Sequence, residues 1–120
     1  MSEIAQTLHF DKQMLGDGIE FVGLITQNGR LLAGNGKNIF NLSEEQMEMF
    51  LMNFSLQQRM DNDYDDNFGQ AQFTVTAREN FRIIAIPRDS NTLIFVMDKN
   101  YEFLSRIKGL LDAIKHVKNL

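Results

Sequence analysis

An acidic segment in the second half of the chain is the first candidate for a chemical site. Asp61, Asp63 and Asp65 stand at the first, third and fifth positions of a calcium-binding loop, where carboxylate oxygens can surround a hard cation. The sixth position holds Asp66 instead of the glycine that permits the sharp turn, and the twelfth holds Gln72 instead of a bidentate glutamate. The segment therefore predicts a solvated acidic loop, and no metal site is expected.

A glycine-rich stretch from Gly34 to Gly36, followed by Lys37, is the second place where chemistry could lie. Such a stretch can cradle a phosphate with its backbone N–H groups. The spacing matches neither the dinucleotide fingerprint nor the P-loop, and no Gly-Lys-Ser/Thr follows. We expect a connecting loop here, with Lys37 as a solvated charge and no bound cofactor.

Nucleophiles and bases are scattered along the chain. His9 and His116 lie far apart in sequence, and neither has the paired spacing of a zinc-binding helix. The chain has no cysteine, and none of its serines lies near a histidine that could act as its base: Ser2, Ser43, Ser55, Ser90 and Ser105. We therefore predict no catalytic residue and no enzymatic activity.

Composition limits the class of protein further. The 120 residues, 43% apolar and 23% charged, predict a single domain over residues 1–120. The net charge is −4 and the twelve basic residues are dispersed, so no nucleic-acid partner is expected. No apolar run is long enough to span a bilayer, and the first residues lack the features of a signal peptide. The absence of cysteine fits a reducing compartment, so we expect no membrane insertion and a cytoplasmic location.

The periodicity of apolar residues and the positions of turn-forming residues predict the helices and strands of the chain. A helix is predicted over Ser2–Leu15, and Asn28-Gly29 predicts a tight hairpin between strands at Ile19–Ile25 and Leu31–Ala33. Ser43 with Gln46 forms a capping box, which predicts a helix from Glu44 to about Met60. Three more strands are predicted, at Gln70–Ala77, at Phe81–Ile86 before Pro87, and at Thr92–Met97. A final helix is predicted from Asn100 onwards.

This order, α-β-β-α-β-β-β-α, predicts an α/β (α+β) fold in which helices cover the faces of one five-stranded antiparallel sheet. Together with the segment Gln27-Asn28-Gly29-Arg30-Leu31-Leu32-Ala33-Gly34, it resembles the roadblock (dynein light chain) family within the wider profilin-like architecture. Locally, Gln57 to Met60, Asp65 to Gly69 and Arg78 to Asn80 are similar to a group of small uncharacterised archaeal proteins.

The middle helix carries two apolar stripes on nearly opposite sides. With Glu44 at 0° and about 100° per residue, one stripe lies at about 240° to 340°. This inner stripe consists of Met47, Phe50, Leu51 and Phe54. The other lies at about 80° to 160°. This outer stripe consists of Met49, Met52, Leu56 and Met60. One sheet buries one stripe, so the outer stripe predicts an intermolecular surface. The alternatives are that its side chains are tolerated at the surface, or that the segment from Gly34 to Leu42 covers them.

The family resemblance implies a surface in the same place, because roadblock-type domains pair through the middle helix and the strand after it. In this chain the alternating polar residues of that strand would join the interface: Gln70, Gln72, Thr74 and Thr76. The predicted function is therefore a non-enzymatic interaction or scaffold module that forms a homodimer or heterodimer. The resemblance also implies a protein partner such as a small GTPase. The alternative is a small-molecule sensor of the PAS or GAF kind, which an enclosed core cavity would favour.

Overall fold

The computed structural model describes residues 18–36, 41–100, 102, 107–109 and 111–112. Its elements, in chain order, are β1 (Ile19–Ile25), β2 (Leu31–Gly36), α1 (Glu44–Asn62), α2 (Asp65–Phe68), β3 (Thr74–Ala77), β4 (Phe81–Arg88) and β5 (Asn91–Asp98). The predicted first helix, Ser2–Leu15, lies outside the described residues. Residues 107–109 and 111–112 are helical, as expected for part of the final helix.

The five strands form one antiparallel sheet in the order β2-β1-β5-β4-β3. β1 and β5 lie inside the sheet. Their sequences are nearly continuous apolar runs, as expected for strands that are buried on both faces of a sheet. β2 and β3 form the two edges. The predicted fold class, a five-stranded antiparallel sheet with helices on its faces, is confirmed.

Each face of the sheet carries its own apolar cluster, because successive side chains of a strand point to opposite faces. One cluster contains Phe21, Ile25, Leu51, Ile83, Ala85, Ile94 and Val96. α1 packs on this face, which we call the α1 face. The other cluster contains Ile19, Val22, Leu24, Ala33, Ile84, Ile86, Leu93, Phe95 and Met97. Ile107 and Leu111 pack on this second face, as their positions on the apolar arc of the final helix predict.

The first hairpin has a longer turn than the two-residue turn that we predicted. Gly29 N–H donates to the Thr26 carbonyl (2.9 Å) and Thr26 N–H donates to the Arg30 carbonyl (2.8 Å). The Thr26 hydroxyl accepts from the N–H groups of Asn28 and Arg30. Within this turn, Gly29, at φ +81°, has the left-handed backbone, and Asn28 does not. The turn therefore has three residues, of which Gly29 is the last. A bulge at this glycine lets the turn follow the right-handed twist of the two strands.

β2 also runs further than predicted, through Gly34 to Gly36, which we expected to be a loop. Gly34 pairs with Gly23 of β1, and the ring of Phe21 lies over both. A Cβ built on Gly23 would stand 2.7 Å from the Phe21 ring, so the glycines provide the space that the ring needs. Gly34 therefore serves strand packing, and the stretch from Gly34 to Gly36 lies in a strand instead of a loop.

α1 begins at the predicted capping box. The Ser43 hydroxyl accepts from the Gln46 N–H (3.1 Å), and the Gln46 side chain accepts from the Ser43 N–H (3.0 Å). Glu44 and Glu45 in the first turn complement the positive end of the helix dipole. The capping box therefore sets the first residue of the helix that carries both stripes.

We expect Ser43→Ala to lower the free energy of unfolding by about 1 kcal/mol, because the Gln46 N–H loses its acceptor. Urea denaturation followed by circular dichroism measures this loss. Ser90→Ala is the matched control, since Ser90 is an exposed serine in the turn between β4 and β5 and should change stability by much less. Equal losses in the two variants would contradict a stabilising role for the cap.

Three boundaries differ from the predictions. The acidic segment that we expected to be a loop contains the short helix α2. β4 continues past Pro87 to Arg88, and β3 begins at Thr74 instead of Gln70. The register pairs Thr74 with Ala85, so its continuation would set Gln72 opposite Pro87. Proline has no N–H to donate, so the ladder between β3 and β4 ends before it, while β4 goes on pairing with β5.

Candidate protein-interaction surface

The inner stripe of α1 packs against the sheet as predicted. Leu51 is buried in the cluster of the α1 face, and Met47, Phe50 and Phe54 are partly buried against it. The rings of Phe50 and Phe54 meet edge to face, with centroids 5.3 Å apart and planes at 84°. This geometry is a favourable arrangement of two aromatic quadrupoles, so the pair adds to the stability that burial supplies.

Polar contacts fix the rotation of α1 about its own axis. The buried Ser55 hydroxyl donates to the Thr26 carbonyl in the hairpin turn (2.6 Å). Gln58 donates to the Asp89 carbonyl (3.4 Å) and accepts from the Thr92 hydroxyl, so it joins the helix to the turn between β4 and β5. With these contacts on its inner side, the helix presents a defined outer side to solvent.

The outer stripe lies on that outer side, with one exception. Met49 is 72% exposed, Met60 is 60% exposed and Leu56 is 42% exposed. Met52 is only half-exposed, because the backbone at this residue lies against Gly29 of the hairpin turn. Three of the four predicted residues therefore form an open apolar strip, and the fourth lies at its border with the hairpin.

The predicted strand residues divide into two pairs. Thr74 and Thr76 lie in β3, which is an edge strand of the sheet. Phe73 and Val75 pack on the second face, so alternation directs the two threonines to the α1 face. Gln70 and Gln72 are exposed but precede β3. The two threonines therefore lie on the same face of the sheet as α1, and the two glutamines come before the strand.

The acidic segment does not wrap around a cation site. Asp61 lies in α1 and Asp65 in α2, and the Asp61 carboxylate accepts from the Gln57 side chain (2.9 Å). Throughout the part of the chain that the structure describes, no three His, Cys, Asp or Glu side chains gather to hold a metal ion. His9 and His116 lie outside that part. The described helices include none that is long and apolar enough to cross a membrane.

A groove of about 1460 Å³ lies between the hairpin turn and the first half of α1. Its lining is mixed, with Leu31, Leu51 and Met52 beside polar groups such as Asn28, Arg30 and Glu48. The groove opens at the surface and is not enclosed in the core. It therefore lends no support to a sensor of the PAS or GAF kind, for which an enclosed cavity would be the sign.

Two aromatic residues that we did not predict as surface features stand in the acidic segment. Tyr64 is 59% exposed and Phe68 is 82% exposed, and their rings stack with centroids 6.1 Å apart and planes at 27°. Their spacing of four residues is the one that brings side chains together on a helix. That spacing was the available signal, but the turn-forming composition around it indicated a loop.

Comparison with known proteins gives a fold. No protein-family model matches the sequence, and no curated protein matches it. MglB of Myxococcus xanthus matches with a TM-score of 0.70 at 13% identity, over 94% of this chain and 85% of that one. An MglB structure with a tetrameric arrangement also matches with a TM-score of 0.70, at 11% identity, over 98% of this chain and 90% of that one.

A Roadblock/LC7 domain from Streptomyces avermitilis matches with a TM-score of 0.66 at 9% identity, over 92% of this chain and 93% of that one. A profilin from Schizosaccharomyces pombe matches with a TM-score of 0.63 at 12% identity, over 96% and 98% of the two chains. The chain therefore has the roadblock and profilin-like fold. None of these named sources is archaeal, so the predicted archaeal grouping gains no support from them.

Proposed function

We propose that this chain is a non-enzymatic interaction or scaffold module that works as a dimer. The observation that carries the proposal is the exposure of the outer stripe, on the side of α1 that faces away from its own sheet. Complete burial of each such side chain is worth about 1.5–3 kcal/mol. Exposed apolar side chains grouped on one side of a helix in a small domain are typical of a protein interface.

Pairing of two copies would bring the outer stripes together across a two-fold axis. Met49, Leu56 and Met60 would supply the apolar centre, with Met52 at the border toward the hairpin. β3 is an edge strand of the described sheet, and a second β3 could pair with its outer backbone groups, which would place Thr74 and Thr76 in the interface. Gln70 and Gln72 would lie at its rim. In a symmetric contact of this kind, both copies contribute the same patch of residues.

A small GTPase is the partner that we infer for this module. The inference follows from the roadblock resemblance, and the likeness to MglB and to a Roadblock/LC7 domain supports it. Methionine-rich surfaces adapt to more than one partner, which suits a module that pairs with itself and also binds another protein. We further propose that residues 1–120 form one domain and that it acts in the cytoplasm.

Leu56→Glu tests the dimer. A carboxylate inside a dry interface loses its hydration without gaining a partner, so we expect the variant to be a folded monomer while the parent chain sediments as a dimer. Analytical ultracentrifugation at tens of micromolar gives the mass, and circular dichroism reports the fold.

Leu31→Glu is the matched control. Leu31 is 45% exposed, nearly the same as Leu56, but it lies on β2, at the edge of the sheet opposite β3. We expect this variant to keep the dimer mass. If the parent chain is a monomer at these concentrations, or if Leu56→Glu leaves the mass unchanged, the outer stripe is not a self-association surface.

A further inference from the structure

A second surface lies just beyond the end of α1 and shares no residue with the proposed dimer surface. It consists of Asp63, Tyr64, Asp65, Asp66 and Phe68, and we call it the acidic–aromatic patch. Phe68 is the most exposed of the large apolar side chains in the described part of the chain. An aromatic ring this open has no role in the core of its own domain, so the patch calls for a binding explanation.

The patch is presented on a hydrogen-bonded stretch of backbone. The N–H groups of Asn67 and Phe68 donate to the Tyr64 carbonyl (3.1 and 2.9 Å). Gly69 N–H donates to the Asp65 carbonyl (2.8 Å), and Gly69 at φ +81° ends the helix there. The two stacked rings therefore have a defined mutual position before any partner arrives, which lowers the entropic cost of binding to them.

The charge around the rings has one sign. Asp61, Asp63, Asp65 and Asp66 fall within six residues, and no lysine or arginine occurs from Met60 to Ala77. Among the described residues, no basic side chain forms an ion pair with the three carboxylates of the patch. One oxygen of Asp65 is shielded from solvent and accepts no hydrogen bond. Within the described residues, the three carboxylates of the patch therefore have no ion-pair partner.

This combination selects one kind of ligand. A guanidinium group stacks on the face of an aromatic ring and forms two parallel hydrogen bonds with a carboxylate, so arginine uses both halves of the patch at once. Lysine can use the charge but not the planar geometry. Nucleic acids and anionic lipid surfaces are repelled by the same carboxylates.

We propose that the acidic–aromatic patch docks an arginine-rich segment of a protein partner. Guanidinium groups would lie on the Tyr64 and Phe68 rings and pair with the exposed Asp66 carboxylate, and the charge of Asp65 beside it would add attraction. The proposal goes beyond the dimer, because none of the patch residues belongs to the outer stripe or to β3. A monomeric chain would still bind such a segment.

The test uses the full chain and a fluorescein-labelled peptide in which arginine alternates with alanine, followed by fluorescence anisotropy. We expect saturable binding that weakens as salt is added, as contacts between exposed charges do. Phe68→Ala should weaken binding about tenfold. The double variant Asp65→Asn with Asp66→Asn should weaken it by at least as much. A peptide with lysine in place of arginine should bind less tightly, and one with glutamate should not bind.

Two matched variants control for the type of change alone. Leu31→Ala removes another exposed apolar side chain, one that lies outside the proposed dimer interface, and Glu48→Gln removes an exposed charge near the other end of the long helix. Both should bind the arginine peptide as the parent chain does. Equal affinity of Phe68→Ala and Leu31→Ala, or no binding to the parent chain, would refute the proposal. A change of sedimenting mass in Phe68→Ala would also refute it, because the occupant would then be a second copy.

Discussion

Gly29→Ala should lower the free energy of unfolding by several kcal/mol, although it adds a single methyl group. Gly29 has φ +81°, a conformation that costs an L-residue about 1–2 kcal/mol. The added Cβ would also stand 2.7 Å from the Met52 Cα and 3.0 Å from its backbone nitrogen. Helix backbone cannot rotate aside as a side chain does, so the hairpin and α1 must separate, at a further cost of about 1–3 kcal/mol. Urea denaturation measures the total.

Gly69→Ala is the control for the backbone conformation. Gly69 has the same φ, +81°, but no atom lies within 4 Å of the position its Cβ would take. This variant therefore carries a cost for positive φ without the collision, and we expect it to lose less stability than Gly29→Ala. If the two variants lose the same amount, the contact between the hairpin turn and α1 relaxes without cost.

Phe54→Glu should leave the chain unfolded or aggregated. Phe54 is partly buried against the α1 face and contacts the Phe50 ring edge to face. An unpaired carboxylate in such a place costs several kcal/mol, out of a total stability of about 5–15 kcal/mol for a domain. Circular dichroism and sedimentation measure the outcome.

Leu56→Glu makes the same kind of change two residues further along the same helix. The side chain there points outward, so this variant should retain its helix and sheet content while it loses the dimer mass. The contrast separates the core side of α1 from its partner side. A Phe54→Glu variant that stays folded with the thermal midpoint of the parent chain would contradict the assignment of the inner stripe to the core.

The features that could be predicted from the sequence are mainly those whose interacting residues lie within a few positions of each other in the chain. Ser43 and Gln46 satisfy each other three residues apart, so the pattern alone indicates where α1 begins. The two stripes of α1 followed from a period of 3.6 residues, and the structure packs the inner one on the sheet. The sheet class followed from the number and order of the strands.

What could not be predicted depends on residues that meet from distant parts of the chain. The start of β3 follows from Pro87 on the neighbouring strand. Met52 is half-covered because the hairpin turn lies against its backbone, which no periodicity in α1 reveals. Tyr64 and Phe68 were missed for a local reason, since the composition around them is typical of turns even though four residues there form a helix. The role of the outer stripe stays a prediction.

The pairing of β1 with β5 has a consequence for how the molecule reaches its native state. These two central strands lie at opposite ends of the described chain, and Ile19 pairs with Met97. During synthesis on the ribosome, β1 emerges long before β5, the strand that pairs with its inner edge. Until β5 has been made, that edge of the β1–β2 hairpin has no partner strand. Contacts this distant in sequence slow folding, because the chain closes a long loop before it gains their energy. We therefore expect the middle of the sheet to assemble last, in a single cooperative step after synthesis has passed Asp98.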